Sequence, residues 1–122
     1  MTFTLRFGCI IATLCILAGC ETSKHPQPPQ SIQEQQLAAL ISGSNWVRNN
    51  CNQKEIPEQS VLVQNALVSA KEKGWKVELI SSQMMSSLID ERYQKLSEDR
   101  TPVSQKCATL SSALMPFLQN IK

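Results

Sequence analysis

The side chains with the most available chemistry in this sequence are five cysteines, Cys9, Cys15, Cys20, Cys51 and Cys107, and a scatter of carboxylates. A thiolate can be acylated, oxidised to a disulfide or bound to a metal. Spacing narrows the choice. There is no Cys-x-x-Cys, and the only histidine, His25, lies far along the chain from both Cys51 and Cys107. A metal site or a redox-active pair is therefore not suggested, and no cofactor is implied. Glu55, Glu58, Asp90, Glu91, Glu98 and Asp99 are the acids from which a hydrolytic pair would have to be drawn. They fall near expected helix ends and outer faces, where solvated surface is their ordinary role. No Gly-rich phosphate loop, His-Glu-x-x-His helix or Gly-x-Ser-x-Gly elbow is present. The chain reads as a non-enzyme.

The first three cysteines belong to an export segment. Arg6 precedes an apolar run over residues 7–18, which ends in Leu17-Ala18-Gly19-Cys20. Twelve residues span about 18 Å as a helix, short of the roughly 30 Å needed to cross a bilayer. A basic start, a short apolar stretch and small residues before a cleavage point describe a secretory signal peptide. Leu-Ala-Gly-Cys resembles the lipobox of bacterial lipoproteins, which implies cleavage before Cys20 and acylation of its sulfur and new amine. The plainer alternative is an ordinary signal peptide with an incidental cysteine. We take residues 1–19 as a lipoprotein signal and Cys20 as a membrane anchor.

Cleavage changes the composition. Removing 19 of the 122 residues leaves 103, enough for one small domain with a single core. Of 12 basic side chains only Arg6 is lost, against 10 acidic ones, so the mature chain is nearly neutral. That balance leaves no electrostatic footprint for nucleic acid, and few aromatics argue against base stacking. Residues 20–30 carry Pro26, Pro28 and Pro29 among Gln, Ser, Thr and Lys, a composition that cannot build a core and reads as an extended tether. His25 lies within it, where solvation is its expected state.

Two cysteines then remain in an oxidising compartment, and a Cys51–Cys107 disulfide is the natural expectation, with two inert buried thiols as the alternative. Closing about 57 residues would stabilise the fold by roughly 4 kcal/mol in the chain-entropy model.

What must position them is helical. Over residues 31–122 we expect an all-α fold. Leu37, Leu40, Ile41, Ser44, Val47 and Cys51 follow an i, i+3, i+4, i+7 pattern, with Ser31 and Glu34 as a capping box and the Asn49-Asn50-Cys51-Asn52 run as the end. Ser42-Gly43-Ser44 in its middle is costly, since glycine loses about 1 kcal/mol against alanine there. Such small residues permit a close neighbour, a bend or the floor of a groove. A second helix should begin near Pro57, turn Leu62, Val63, Ala66, Leu67 and Ala70 inward, and stop at Gly74. Residues 75–79 alternate apolar and polar; an extended connector is preferred to a strand without a partner. The third helix should be capped by Ser81 or Ser82 and carry Met84, Met85, Leu88, Ile89, Tyr93 and Leu96 as its stripe, with a Glu91–Lys95 pair outside. Thr101-Pro102 should open the fourth, whose Val103, Cys107, Leu110, Leu114, Phe117 and Ile121 recur at helical spacing until Pro116 kinks or ends it near residues 113–115.

In an up-down four-helix bundle, the end of the first helix and the start of the fourth meet at one pole, where Cys51 and Cys107 come within disulfide range. Trp46, Trp75, Met84 and Met85, together with the region around Gly43, exceed what a narrow seam requires. Adaptable apolar surface of this kind suits a helix-in-groove binder. The candidate lining is Leu40, Gly43, Ser44 and Val47 on the first helix, Met85 and Leu88 on the third, and Leu114 on the fourth. Replacing Leu88 by Asp should then abolish binding.

The run Gln36-Leu37-Ala38-Ala39-Leu40-Ile41-Ser42-Gly43-Ser44-Asn45-Trp46-Val47-Arg48-Asn49-Asn50-Cys51 resembles the first helix of the PulS/OutS family, the pilotins of type II secretion systems. Ile56-Pro57, Lys73-Gly74-Trp75, Arg92-Tyr93-Gln94-Lys95-Leu96, Thr101-Pro102, Cys107 and Pro116-Phe117 fit the same pattern in order. The likeness spans about residues 36–118 and includes the lipobox. It implies a lipid-anchored bundle that binds the C-terminal segment of a secretin subunit. The lipoprotein sorting machinery would carry the complex to the outer membrane, with the bundle facing the periplasm. Cys20, Cys51 and Cys107 are the positions it transfers. Glu21, which is not aspartate, is compatible with outer-membrane sorting. Two other classes compete: a periplasmic inhibitor or exclusion lipoprotein that grips a folded partner, and a small anchored hydrolase.

Overall fold

A computed structural model describes residues 27–121; the signal segment, Cys20 and most of the expected tether lie outside the described residues. Four helices follow one another: α1 (Gln30–Asn50), α2 (Gln59–Glu72), α3 (Ser82–Glu98) and α4 (Val103–Leu118), with a 3₁₀ turn (Val77–Leu79) between α2 and α3. No strand occurs among the described residues. The expected all-α bundle is present, and Cys51 and Cys107 are joined by a disulfide with their Cα atoms 5.6 Å apart.

α1 is the spine. Each of the other three helices packs on it, α3 most extensively, whereas α2 and α4 make little contact with each other. Its length and its buried Leu37, Ala38, Ile41, Trp46 and Val47 follow from the 3.6-residue periodicity read in the sequence. The expected Ser31–Glu34 capping box does not form. Pro29, with φ −53° and ψ 150°, starts the helix two residues earlier, and its carbonyl accepts the Ile32 and Gln33 amides at 2.9 and 3.0 Å. Glu34 instead accepts the Gln30 side-chain amide at 3.1 Å. At the other end Asn52 adopts φ 58°, the left-handed conformation that asparagine tolerates, and the chain turns away.

α2 ends as its sequence dictates. Gly74 sits at φ 85°, its N–H donates to Lys71 O at 2.9 Å and the Trp75 N–H reaches back to Ala70 O at 3.0 Å, which together make a Schellman motif. The connector after it is not extended. Residues 77–79 wind into the 3₁₀ turn, with Ile80 N–H donating to Val77 O at 3.0 Å, because a lone strand has no neighbour to satisfy its backbone groups. Ser81 caps α3 by accepting the Met84 N–H at 3.3 Å. Met84 itself is half exposed and leaves the expected stripe. Met85 and Ile89, one helical turn apart, define the inward line of α3, and Met84 stands about 100° off it. Val103 is likewise exposed, so the buried line of α4 starts at Lys106 and Cys107. Pro116 does not stop α4, which continues to Leu118; so near the C-terminus its ring costs little more than one hydrogen bond.

The last residues of the expected tether are engaged rather than loose. Gln27 donates to Lys73 O at 2.9 Å, Gln30 to Leu79 O at 2.7 Å and Gln33 to Pro28 O at 2.8 Å. The first two bonds hold the approach to α1 against the end of α2 and the connector after it, and the third braces the approach on α1 itself.

Candidate functional site

An apolar groove runs over the middle of α1, in the space that α2 and α4 leave between them. Its volume is about 440 Å³. Small residues from three helices create the hollow: Ala39 and Gly43 on α1, Ala66, Ser69 and Ala70 on α2, and Ala113 on α4. Leu40, Leu110, Leu114 and Trp75 form its walls, with Gln36 and Lys73 at the rim. Truncated side chains on facing helices prevent the ridges from interdigitating, so the surface stays open where a closed bundle would fill it.

Gly43 is the floor. A Cβ there would meet the Leu114 methyls at 3.4 and 3.6 Å, which is ordinary contact and not a clash. The glycine is therefore not imposed by backbone crowding; its effect is to deepen the groove beneath Leu114. Its two neighbours have a different part. Ser42 and Ser44 are buried, and their hydroxyls donate to Ala39 O at 3.2 Å and Leu40 O at 2.8 Å, satisfying themselves within α1. At the α2 end the Lys73 ammonium lies 5.7 Å from the Trp75 ring centroid, so a cation and an amphipathic aromatic stand together at the mouth.

The expected lining residues divide. Leu40, Gly43 and Leu114 meet in this groove. Ser44 and Val47 are fully buried and belong to the core, where they offer no surface to a ligand. Met85 faces a different hollow, between α2 and α3. Leu88 lines neither and packs half-buried against the core. Trp46 is core, and only Trp75 of the two tryptophans borders the groove. Sequence reasoning treated Ala66 and Ala70 as inner-face residues and passed over Ser69 and Ala113. Their signal was legible: a helix face built from alanine and serine at i, i+3, i+4 has no bulk with which to fill a seam.

The groove holds no catalytic constellation. Its one ionisable lining residue is Lys73. The Glu91–Lys95 pair forms as expected, at 3.0 Å, on the exposed side of α3.

Three kinds of comparison bear on this geometry. Residues 13–119 match the family model described as type II secretion system pilotin lipoprotein (PulS_OutS). The pullulanase secretion protein PulS of Klebsiella pneumoniae is 28% identical over 111 residues, covering 88% of this chain and 87% of the relative. Pilotin OutS of Dickeya dadantii (strain 3937) is 29% identical over 118 residues, covering 87% and 85%. Among solved structures, a chain of the Klebsiella pneumoniae type II secretion outer membrane complex, which contains PulD, PulS and the PulC HR domain, superposes with a TM-score of 0.70 at 27% identity. That match covers 75% of this chain and 96% of the other. A chain from a pilotin/secretin peptide complex gives 0.70 at 29% identity, covering 75% and 95%.

Proposed function

The chain belongs to the type II secretion system pilotin lipoprotein family, and on that premise we propose that it binds the C-terminal segment of a secretin subunit in the groove over Gly43. The observation that carries this reading is the convergence of small residues from α1, α2 and α4 on one apolar hollow. A segment that is disordered when free would fold into an amphipathic helix as its apolar stripe enters the groove between Leu40, Leu110 and Leu114, and ordering would temper its affinity. No chemistry is performed on the bound segment.

Acylated Cys20 supplies the other half of the function. Stable attachment to a bilayer takes more than one acyl chain, which a multiply acylated cysteine provides. The lipoprotein sorting machinery then moves anchor, bundle and bound secretin together to the outer membrane, and the bundle faces the periplasm. Gln27 and Gln30 bond to Lys73 O and Leu79 O, beside the Trp75 end of the groove.

The test is a titration of the chain with the secretin C-terminal peptide. Saturable binding with a gain of peptide helicity is expected. Leu40→Asp should weaken it about 100-fold, because a charge would be desolvated in the groove, whereas Leu88→Asp should leave it nearly unchanged. The opposite pattern would move the site to α3. Cys20→Ser should leave peptide binding intact and misplace the secretin; normal delivery to the outer membrane would defeat the pilot role.

A further inference from the structure

On the far side of α1 lies a second groove that the secretin reading does not use. Leu40 and Asn49 are nine residues apart, roughly 180° around a helix at 100° per residue, so Asn49 and its neighbours face away from Gly43. There α2 and α3 leave an apolar hollow of about 470 Å³ along Val63, Leu67 and Met85. It shares Gln59 and Ile89 with a polar cleft of about 300 Å³ against α1, and the two form one continuous surface.

The polar end is unfinished. Asn45 donates to Gln59 Oε1 at 2.9 Å and Asn49 to the Tyr93 hydroxyl at 3.1 Å, so these polar lining groups are paired with one another. Arg48 is the exception. Its Nε is the one buried side-chain nitrogen or oxygen among the described residues that has no hydrogen-bond partner. Asp90 lines the same cleft, yet Arg48 makes no ion pair among the described residues. That Nε is closed off from solvent, so an incoming group meets the guanidinium at its Nη atoms, and the group that matches their charge and geometry best is a carboxylate, which a guanidinium grips through two parallel bonds.

We propose that the α2–α3 groove is a second docking surface, for an amphipathic helical segment of a protein partner whose apolar stripe covers Val63 and Leu67 and whose carboxylate meets Arg48. The charge decides the occupant: an apolar segment alone would leave Arg48 orphaned, and a basic one would be repelled. Asp90 opposes the incoming carboxylate and sets how tightly it is held. This surface is independent of the one over Gly43.

The probe is an 18-residue helix of alanine, glutamine and leucine with leucines on one face and a single glutamate a turn beyond them, beside a twin with glutamine there. With the full chain in detergent micelles, the glutamate peptide should bind at least tenfold tighter than its twin and shift the Arg48 Nε resonance. Arg48→Met should erase that difference while melting no lower than wild type, Arg48→Lys should keep part of it, and Asp90→Asn should enlarge it. Equal binding of the twins, a preference that survives Arg48→Met, or displacement of the probe by the secretin peptide would overturn the proposal. So would a fall of about 5 °C or more in the Arg48→Met melt, which would reveal an internal partner for the arginine.

Discussion

The pole where α1 ends and α4 begins is closed, and the middle of the same two helices is open. At the pole, the Cys51–Cys107 disulfide joins the chains and Lys106 fills the space beneath. Its stem is buried, with the residue 8% exposed, and its ammonium donates to Leu96 O at 2.7 Å and Asp99 O at 2.9 Å, 4.7 Å from the Trp46 ring centroid. One side chain thus caps the C-terminus of α3, binds an aromatic of α1 and sits on α4. Two turns away Gly43 and Ala113 replace bulk with space. The contrast teaches how a small bundle keeps a binding surface: stability is concentrated at one end, and the other contacts are left unfilled.

The disulfide offers the largest break in that contrast. Replacing both Cys51 and Cys107 by alanine should lower stability by about 2–5 kcal/mol, read from urea unfolding. Affinity for the secretin peptide, measured well below the melt, should change less than about threefold. A parallel loss of affinity would show that the pole shapes the groove and is not merely its support.

Lys106→Met is the next step down. It keeps an apolar stem but removes two charge-assisted hydrogen bonds and the contact with Trp46, and leaves two carbonyls uncapped. The expected cost is about 2 kcal/mol, again with the groove intact. Loss of the near-ultraviolet circular dichroism of Trp46 should accompany it.

How much of this was legible in the sequence follows the same division. The four helices, the glycine stop at Gly74, the Ser81 cap and the disulfide all rest on local chemistry or on pairing by elimination. Each could be read residue by residue. Lys106 could not be, because a lysine on a helix gives no sign that the carbonyls of another helix will surround it. Pro29 displaced the capping box by starting the helix first, a competition between two valid signals. Leu40, Gly43 and Leu114 were identified for the groove because small and large residues at helical spacing imply a hollow. Ser44 and Val47 follow the same pattern, yet Ser44 stands about 100° round α1 from Gly43, and Val47, on nearly the same line as Leu40, lies two turns further along; both are buried in the core. Met85 and Leu88 depended on which helix faces which, and that is a tertiary fact. Arg48, one residue from Val47, carried no mark in the sequence of lacking a partner.

Gly43→Ala sharpens the contrast from the open side. A methyl there meets Leu114 at ordinary contact distance, so nothing must move. Helix propensity then raises stability by up to about 1 kcal/mol. The same methyl makes the groove shallower, and affinity for the secretin peptide should fall a few-fold. Stability and binding moving in opposite directions would identify the glycine as a functional concession; a rise in both would leave it a tolerated weak spot.

The smallest effect belongs to acid. Asp99, in the turn between α3 and α4, is held below its ordinary value near 3.8 by hydrogen bonds from Thr101, including its N–H at 2.7 Å, and then by the charge of Lys106. A carboxyl with a depressed folded-state pKa contributes stability that is complete above the unfolded value and is lost as pH falls through the folded one. The closed pole should therefore loosen first as pH drops below about 4, and Asp99→Asn should flatten that part of the stability profile without altering it at pH 7 beyond a small constant loss. Because Asp99 is exposed, its contribution is screened by solvent and should shrink further in high salt. The groove has Lys73 as its one ionisable lining residue and no acid, so its intrinsic affinity for peptide should be flat over the same range once the peptide's own carboxylates are accounted for. An acid-dependent loss of binding that precedes the loosening of the pole would mean that the two regions are not separable, and that Lys106 and Asp99 tune the groove through α4.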